Sequence, residues 1–99
     1  MDKTIRQNIL ESAITCVCGH RQEDYGTPED NFKTIAKLWT IYLEASHKEH
    51  TVEISAKDVA MMMALLKVAR ISSGSNLDSF IDLAGYAACA AEIVSNKNS

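Results

Sequence analysis

Eight consecutive uncharged residues, Val59 to Leu66, constrain this chain more than any other stretch of it. They read Val-Ala-Met-Met-Met-Ala-Leu-Leu, with Asp58 before them and Lys67 and Arg70 after. Met, Ala and Leu favour helix, so the run predicts a helix rather than a strand. Successive helical residues turn by about 100°, so Met61, Met62 and Met63 cannot share a face. A helix that is apolar all round belongs in an interior. This one is expected to be wrapped by the rest of the chain or by a second subunit. Lys67 and Arg70 stand three residues apart, on one side, while Asp58 projects nearly opposite. Two cations at the end of a buried rod must meet an anion, and the sequence poses the question of which.

The remaining helices follow from their caps. Thr4 and Gln7 have the form of a capping box, and Ile5, Ile9, Leu10, Ala13, Ile14 and Val17 recur at helical spacing. That predicts a helix over 4–18, stopped near Gly19. Thr27 reads as an N-cap, with Pro28 in the first helical position and Asp30 three residues after the cap. The second helix spans 28–46, with Phe32, Ile35, Ala36, Trp39 and Leu43 as its apolar stripe. Ser55 and Asp58 form another capping box and open the third helix, 56–71. A turn over 72–76 leads to the fourth, 77–95. Its Ala84, Gly85, Ala87, Ala88, Ala90 and Ala91 let another helix approach closely. The chain is therefore expected to be all-α, a four-helix bundle-like single domain covering 1–99. An apolar helix and an Ala/Gly-rich helix are more than four short helices readily bury, so a homo-oligomer is expected.

Composition narrows the partners. A net charge of −3 argues against duplex nucleic acid, although a small anionic ligand needs only a local cluster of bases. The longest apolar run falls far short of the roughly 20 residues that span a bilayer. The amino terminus lacks a hydrophobic signal core, so no secretion and no membrane partner are expected, and the localisation read is cytoplasmic. Cys16, Cys18 and Cys89 are an odd number without a C-x-x-C pair, which fits reduced thiols. Cys16-x-Cys18-x-His20 suggests metal ligands only superficially, because i and i+2 side chains on a helix point apart and a second ligand pair is missing. No cofactor is expected from these residues.

Three constellations could carry chemistry. Asp78 and Asp82 lie four apart, and Gly85, Tyr86 and Cys89 continue their face. Asp78 has an ordinary role in a first helical turn, where carboxylates meet free N–H groups and the positive dipole end. Asp82 sits deeper, where it either borders a groove or pairs with Lys67 or Arg70. Lys67 and Arg70 are the second constellation. Arg offers a planar fork suited to phosphate and Lys a point charge, yet cations at a helix C-terminus also serve the dipole alone. The third is Arg21, Asp24, Tyr25 and Gly26, just before the helix opened by Thr27 and Pro28. Free N–H groups there attract anions unless Thr27 and Asp30 already satisfy them. Tyr25 or Trp39 could stack on a planar base, although Trp39 at helical spacing more simply reads as core.

Three blocks also carry a resemblance. They are Arg21-x-x-Asp24-Tyr25-Gly26-x-Pro28-x-x-Asn31-Phe32, then Asp58-Val59-Ala60-x-Met62-Met63-x-Leu65-Leu66-Lys67-x-Ala69-Arg70, then Asp78-x-x-Ile81-Asp82-x-Ala84-Gly85-Tyr86. Together they resemble a family of small phage and prophage proteins. That family is in turn similar to MazG-like all-α nucleotide pyrophosphatases and to helical domains associated with nucleotide modification in phages. The likeness implies a helical oligomer with a nucleotide pocket. The MazG-like pattern uses an E-x-x-E pair on one helix and an E-x-x-D pair on the next to hold Mg²⁺. This chain departs from it, since the second helix reads Phe32-Lys33-Thr34-Ile35-Ala36-Lys37 where acids are expected. Asp78 and Asp82 remain, at i and i+4, enough for one Mg²⁺ that shares a substrate's phosphates.

These readings favour a phage-type protein that binds a small phosphorylated nucleotide, one use being to sequester a cyclic nucleotide signal of host defence. Arg21, Tyr25, Asn31, Lys67, Arg70, Asp82 and Tyr86 are the candidate ligand-binding residues. The alternative is a Mg²⁺-dependent nucleotide pyrophosphohydrolase in which Asp78 and Asp82 hold the metal. A third reading is a structural helical oligomer without a small-molecule ligand, its charges being surface ion pairs.

Overall fold

A computed structural model describes residues 2–19, 27–47, 52–74 and 76–97. Four helices account for most of them: α1 (Ile5–Cys18), α2 (Pro28–Ser46), α3 (Ala56–Ser73) and α4 (Leu77–Lys97). Their starts are the ones the caps specify. The Thr4 hydroxyl accepts the Gln7 N–H while the Gln7 side chain accepts the Thr4 N–H. Thr27 accepts from the N–H of Asp30, and Pro28 occupies the first turn, where its missing N–H costs nothing. Ser55 and Asp58 exchange bonds of 3.1 and 3.0 Å. α4 is capped by Asn76, whose Oδ1 accepts the Ser79 N–H at 2.8 Å.

α4 is the centre of the molecule. It packs along α3 as a helical hairpin, against α1 on another side, and only lightly against α2, which leans on α3. α1 and α2 share no packed interface. Among the described residues, the helices thus follow the spatial order α1, α4, α3, α2 and leave one side of the bundle open. The core lies where α2, α3 and α4 meet: Phe32, Ala36, Val59, Ala60, Cys89, Ala90 and Ile93, with Trp39 and Tyr86 packed against it. Trp39 is core-facing, as its spacing predicts. The chain before α3 is held to α2 by the Ile54 N–H, which donates to Thr40 Oγ1 at 2.9 Å. Glu29 at the start of α2 accepts from Asn96 near the end of α4 at 3.3 Å.

The rest of the chain is only one of the two coverings expected for α3. The apolar run of α3 is not wrapped by the rest of the chain. Val59, Ala60 and Ala64 are buried, but Met61, Met62, Leu65, Leu66 and Val68 are exposed. Two packed neighbours, α4 and α2, are too few to cover a rod on all sides. Ile5, Leu10 and Ile14 of α1 are exposed for the same reason, since only α4 lies against that helix. No helix among the described residues is long and apolar enough to cross a membrane.

Candidate functional site

The gap between α1 and α2 is a cleft of about 480 Å³, floored by α3 and α4. Cys16 and Val17 form one wall, and Asn31, Phe32 and Ile35 the other, with Thr27 and Pro28 at the rim. Met63 and Lys67 of α3 and Ile81, Asp82, Gly85, Tyr86 and Cys89 of α4 complete it. The lining is mostly apolar, with a few polar groups converging on it, the usual make-up of a small-molecule site.

Each polar group arrives by helical register. On α3, Lys67 follows the buried Ala60 and Ala64 at i+7 and i+3, so it extends the inward face of that helix. On α4, the buried Ser79 and Cys89 bracket Asp82 and Tyr86 on one stripe, at spacings of three, four and three. The two stripes meet across the hairpin. Lys67 Nζ lies 2.9 Å from Asp82 Oδ2, and their side chains keep 17% and 40% of their exposure. The anion that Lys67 meets is Asp82, and both line the cleft. Tyr86 stands beside Phe32, ring centroids 6.0 Å apart and planes tilted by 37°, a favourable aromatic arrangement. Gly85 lets α1 come close: a Cβ there would stand 3.2 Å from Val17 Cγ1.

Of the candidate residues, the structure brings together Asn31, Lys67, Asp82 and Tyr86. Arg70 is exposed at the end of α3 and does not line the cleft. Residues at i and i+3 sit about 60° apart around a helix, enough to carry Arg70 off the inward face that Lys67 extends. Asp78 is exposed in the first turn of α4 and is likewise outside the cleft, so the expected pair of acids is divided. Asp58 is the reciprocal partner of Ser55 in the cap of α3. Arg21, Asp24, Tyr25 and Gly26 lie outside the described residues. Among the described residues, no group of three or more His, Cys, Asp or Glu side chains is placed to hold a metal ion.

Some of the cleft escaped the sequence reading. Phe32, Ile35 and Met63 are assigned there to stripe or core and Cys16 to reduced thiols, whereas Cys89 is already placed on the face of Asp82. Cys16 is exposed at the wall, whereas Cys89 is buried in the floor. Burial pushes the Cys89 thiol pKa up, and nearby Glu92 and Cys18 add to the effect. A usable signal was present: Pro28, Asn31, Phe32 and Ile35 recur at helical spacing, with a polar residue set among apolar ones.

Comparison with known proteins gives the chain relatives. A family model described as a domain of unknown function, DUF6378, matches residues 8–94. The Gene 55 protein of Mycobacterium phage D29 is 46% identical over 88 residues, which is 88% of this chain and 54% of the relative. The Gene 55 protein of Mycobacterium phage L5 is 41% identical over 81 residues, or 81% of this chain and 48% of the relative. The chain thus spans about half the length of these curated relatives. No solved structure matches. These comparisons do not show a likeness to MazG-like enzymes.

Proposed function

The chain belongs to that family of phage proteins, and on this footing we propose that it binds a small nucleotide of low charge in the cleft between α1 and α2. The observation that carries the reading is the Lys67–Asp82 pair, set at 2.9 Å in the floor of a cleft that Asn31 and Tyr86 also line. Tyr86 offers a ring face for a base, and Asn31 offers an amide that both donates and accepts at a base edge. An ammonium has three donors. Lys67 can keep its bond to Asp82 and give another to a phosphate oxygen, while Asp82 takes a sugar hydroxyl or an exocyclic amine.

Charge argues for the class of nucleotide. Lys67 is the one base and Asp82 the one acid among the described residues of the cleft, so their charges cancel. A triphosphate would enter a neutral site that has no cation to spare. A single phosphodiester, as in a cyclic nucleotide, asks for one donor cation. A phage protein with such a site could sequester a cyclic nucleotide signal of host defence. Calorimetric titration with cyclic mononucleotides and dinucleotides, nucleoside monophosphates and triphosphates tests this. Binding of a cyclic or monophosphate ligand ahead of the triphosphates is expected, and silence from the whole panel at high micromolar concentration overturns it.

The hydrolytic alternative asks more of the same cleft. Mg²⁺ would need carboxylates aimed at substrate phosphates, and the described cleft supplies only Asp82, already engaged by Lys67. This donor set does not fit the metal. Release of pyrophosphate from nucleoside triphosphates with Mg²⁺, lost in Asp82→Ala, would reverse that judgement.

A further inference from the structure

We propose that the back of the α3–α4 hairpin, the side away from the cleft, is the interface of a symmetric homodimer of this chain. On α3, Met61, Leu65 and Val68 stand about 100–160° around the helix from Met63 and Lys67, which face the cleft. All three are exposed, Leu65 at 64%. On α4, Phe80, Ala87 and Val94 stand about half a turn from Asp82 and Cys89, and all three are likewise exposed. The two helices are packed together, so both exposed faces lie on one side of the hairpin.

The charge pattern of α3 is inverted for a lone chain. From Val59 to Ala69 its only charged side chain, Lys67, turns inward, whereas the outward positions are apolar. A solvated helix face normally carries the charges. The outward stripes also keep a coiled-coil period. Leu77, Phe80, Ala84, Ala87, Ala91 and Val94 follow steps of three and four, Ala84 being half-buried beside α1, and Met61, Leu65 and Val68 do the same. That is the spacing of a seam between helices, with alanines at its middle permitting a close approach.

Area identifies a second copy as the occupant. The accessible surface is 7463 Å², against about 5,600 Å² for a compact chain of this mass. The excess of about 1,900 Å², to which the cleft and the outer sides of α1 and α2 also contribute, is large enough to include the roughly 1,000 Å² or more that each protomer buries in an obligate homodimer. The radius of gyration, 15.5 Å, likewise exceeds the roughly 13 Å of a compact chain this long. Between Met61 and Val68 the face is uncharged, Lys57 bordering it one turn earlier, and an uncharged face is complementary to itself, as a two-fold interface requires. The dimer would leave both clefts facing outward, so this inference stands apart from the ligand reading.

Size-exclusion chromatography with light scattering is the test. Wild type is expected at twice the 10.9 kDa chain mass. Leu65→Glu or Ala87→Glu would bury unpaired charge at the seam and raise the dissociation constant at least about a hundredfold. Each variant should run at the chain mass with an unchanged helical circular dichroism spectrum. Leu38→Glu, on the exposed side of α2, should leave the dimer intact. Any other wild-type mass at 100 μM, a single chain included, overturns the proposal. So does a dimer that survives both seam variants, or one that Leu38→Glu dissolves equally well.

Discussion

Lys67 Nζ and Asp82 Oδ2 are 2.9 Å apart across the α3–α4 hairpin, and both border the cleft. The pair has a structural part and a ligand-facing part, and the two are separable. Asp82 keeps 40% of its side-chain exposure, so solvent screens the attraction and the stabilising share should be small. A double-mutant cycle with Lys67→Met and Asp82→Asn, read by urea unfolding, is expected to give a coupling of about 0.5–1 kcal/mol. Met keeps the apolar stem and removes the charge. If the pair also serves a nucleotide, Lys67→Met should weaken binding by a further factor of about ten, the worth of one charge-assisted hydrogen bond. A large stability loss with ligand affinity unchanged would make the pair a staple of the hairpin and nothing more.

The thiols offer a footprint of the cleft with an internal control. Cys16 and Cys18 are both exposed, but only Cys16 lines the cleft, because i and i+2 point to different sides of α1. A neutral thiol reagent at pH 8 is expected to modify both quickly in the free protein. A ligand seated against Asn31 and Tyr86 should slow Cys16 several-fold and leave Cys18 untouched. Equal protection of both thiols, or of neither, would place the ligand elsewhere. Mass spectrometry of the labelled peptides distinguishes these outcomes.

Cys89 makes a pH prediction whose sign follows from burial. Desolvation raises its folded pKa first, with Glu92 and then Cys18 adding to it. An acid with a raised folded pKa stays protonated in the fold while the unfolded chain has begun to lose the proton. Its stabilising contribution is complete below the unfolded thiol value, near 8.5, and is lost as pH rises from there through the folded value. The urea midpoint of wild type should therefore fall more steeply between pH 8 and pH 10 than that of Cys89→Ala. Parallel slopes would show that the thiol is as well hydrated in the fold as out of it.

Local chemistry was the legible part of this chain. Thr4 with Gln7, Thr27 with Pro28, and Ser55 with Asp58 fix three helix starts, because each bond spans three residues and needs nothing distant. The α4 cap at Asn76 was within reach on the same logic. The cleft was legible only in part. The register of α4 put Asp82 and Tyr86 on one stripe, but which helix would face that stripe is a tertiary fact. Apolarity told that α3 wants covering, not that the chain itself would leave Met61 and Leu65 in the open. Arg70 was grouped with Lys67 by spacing, and a displacement of about 60° at a helix end was enough to part them.

Gly85 ties the fold to the cleft, and its substitution separates two opposing effects. Ala at a helix interior gains about 0.5–1 kcal/mol over Gly. Here the new Cβ would stand 3.2 Å from Val17 Cγ1, so Val17 has to yield by a few tenths of an ångström. Val17 is half-buried and stiff at χ1, which limits how far it can turn aside. The gain and the crowding should nearly cancel, leaving Gly85→Ala within about 1 kcal/mol of wild type. Gly85→Leu cannot be absorbed this way and should cost about 2 kcal/mol or more by forcing α1 off α4. Because Val17 is also a wall of the cleft, that variant should lose ligand affinity along with stability. Thermal unfolding of both variants, beside titration with the best ligand of the panel, reads the two effects separately. Gly85→Leu with wild-type stability would mean that α1 is not held against α4 at this point.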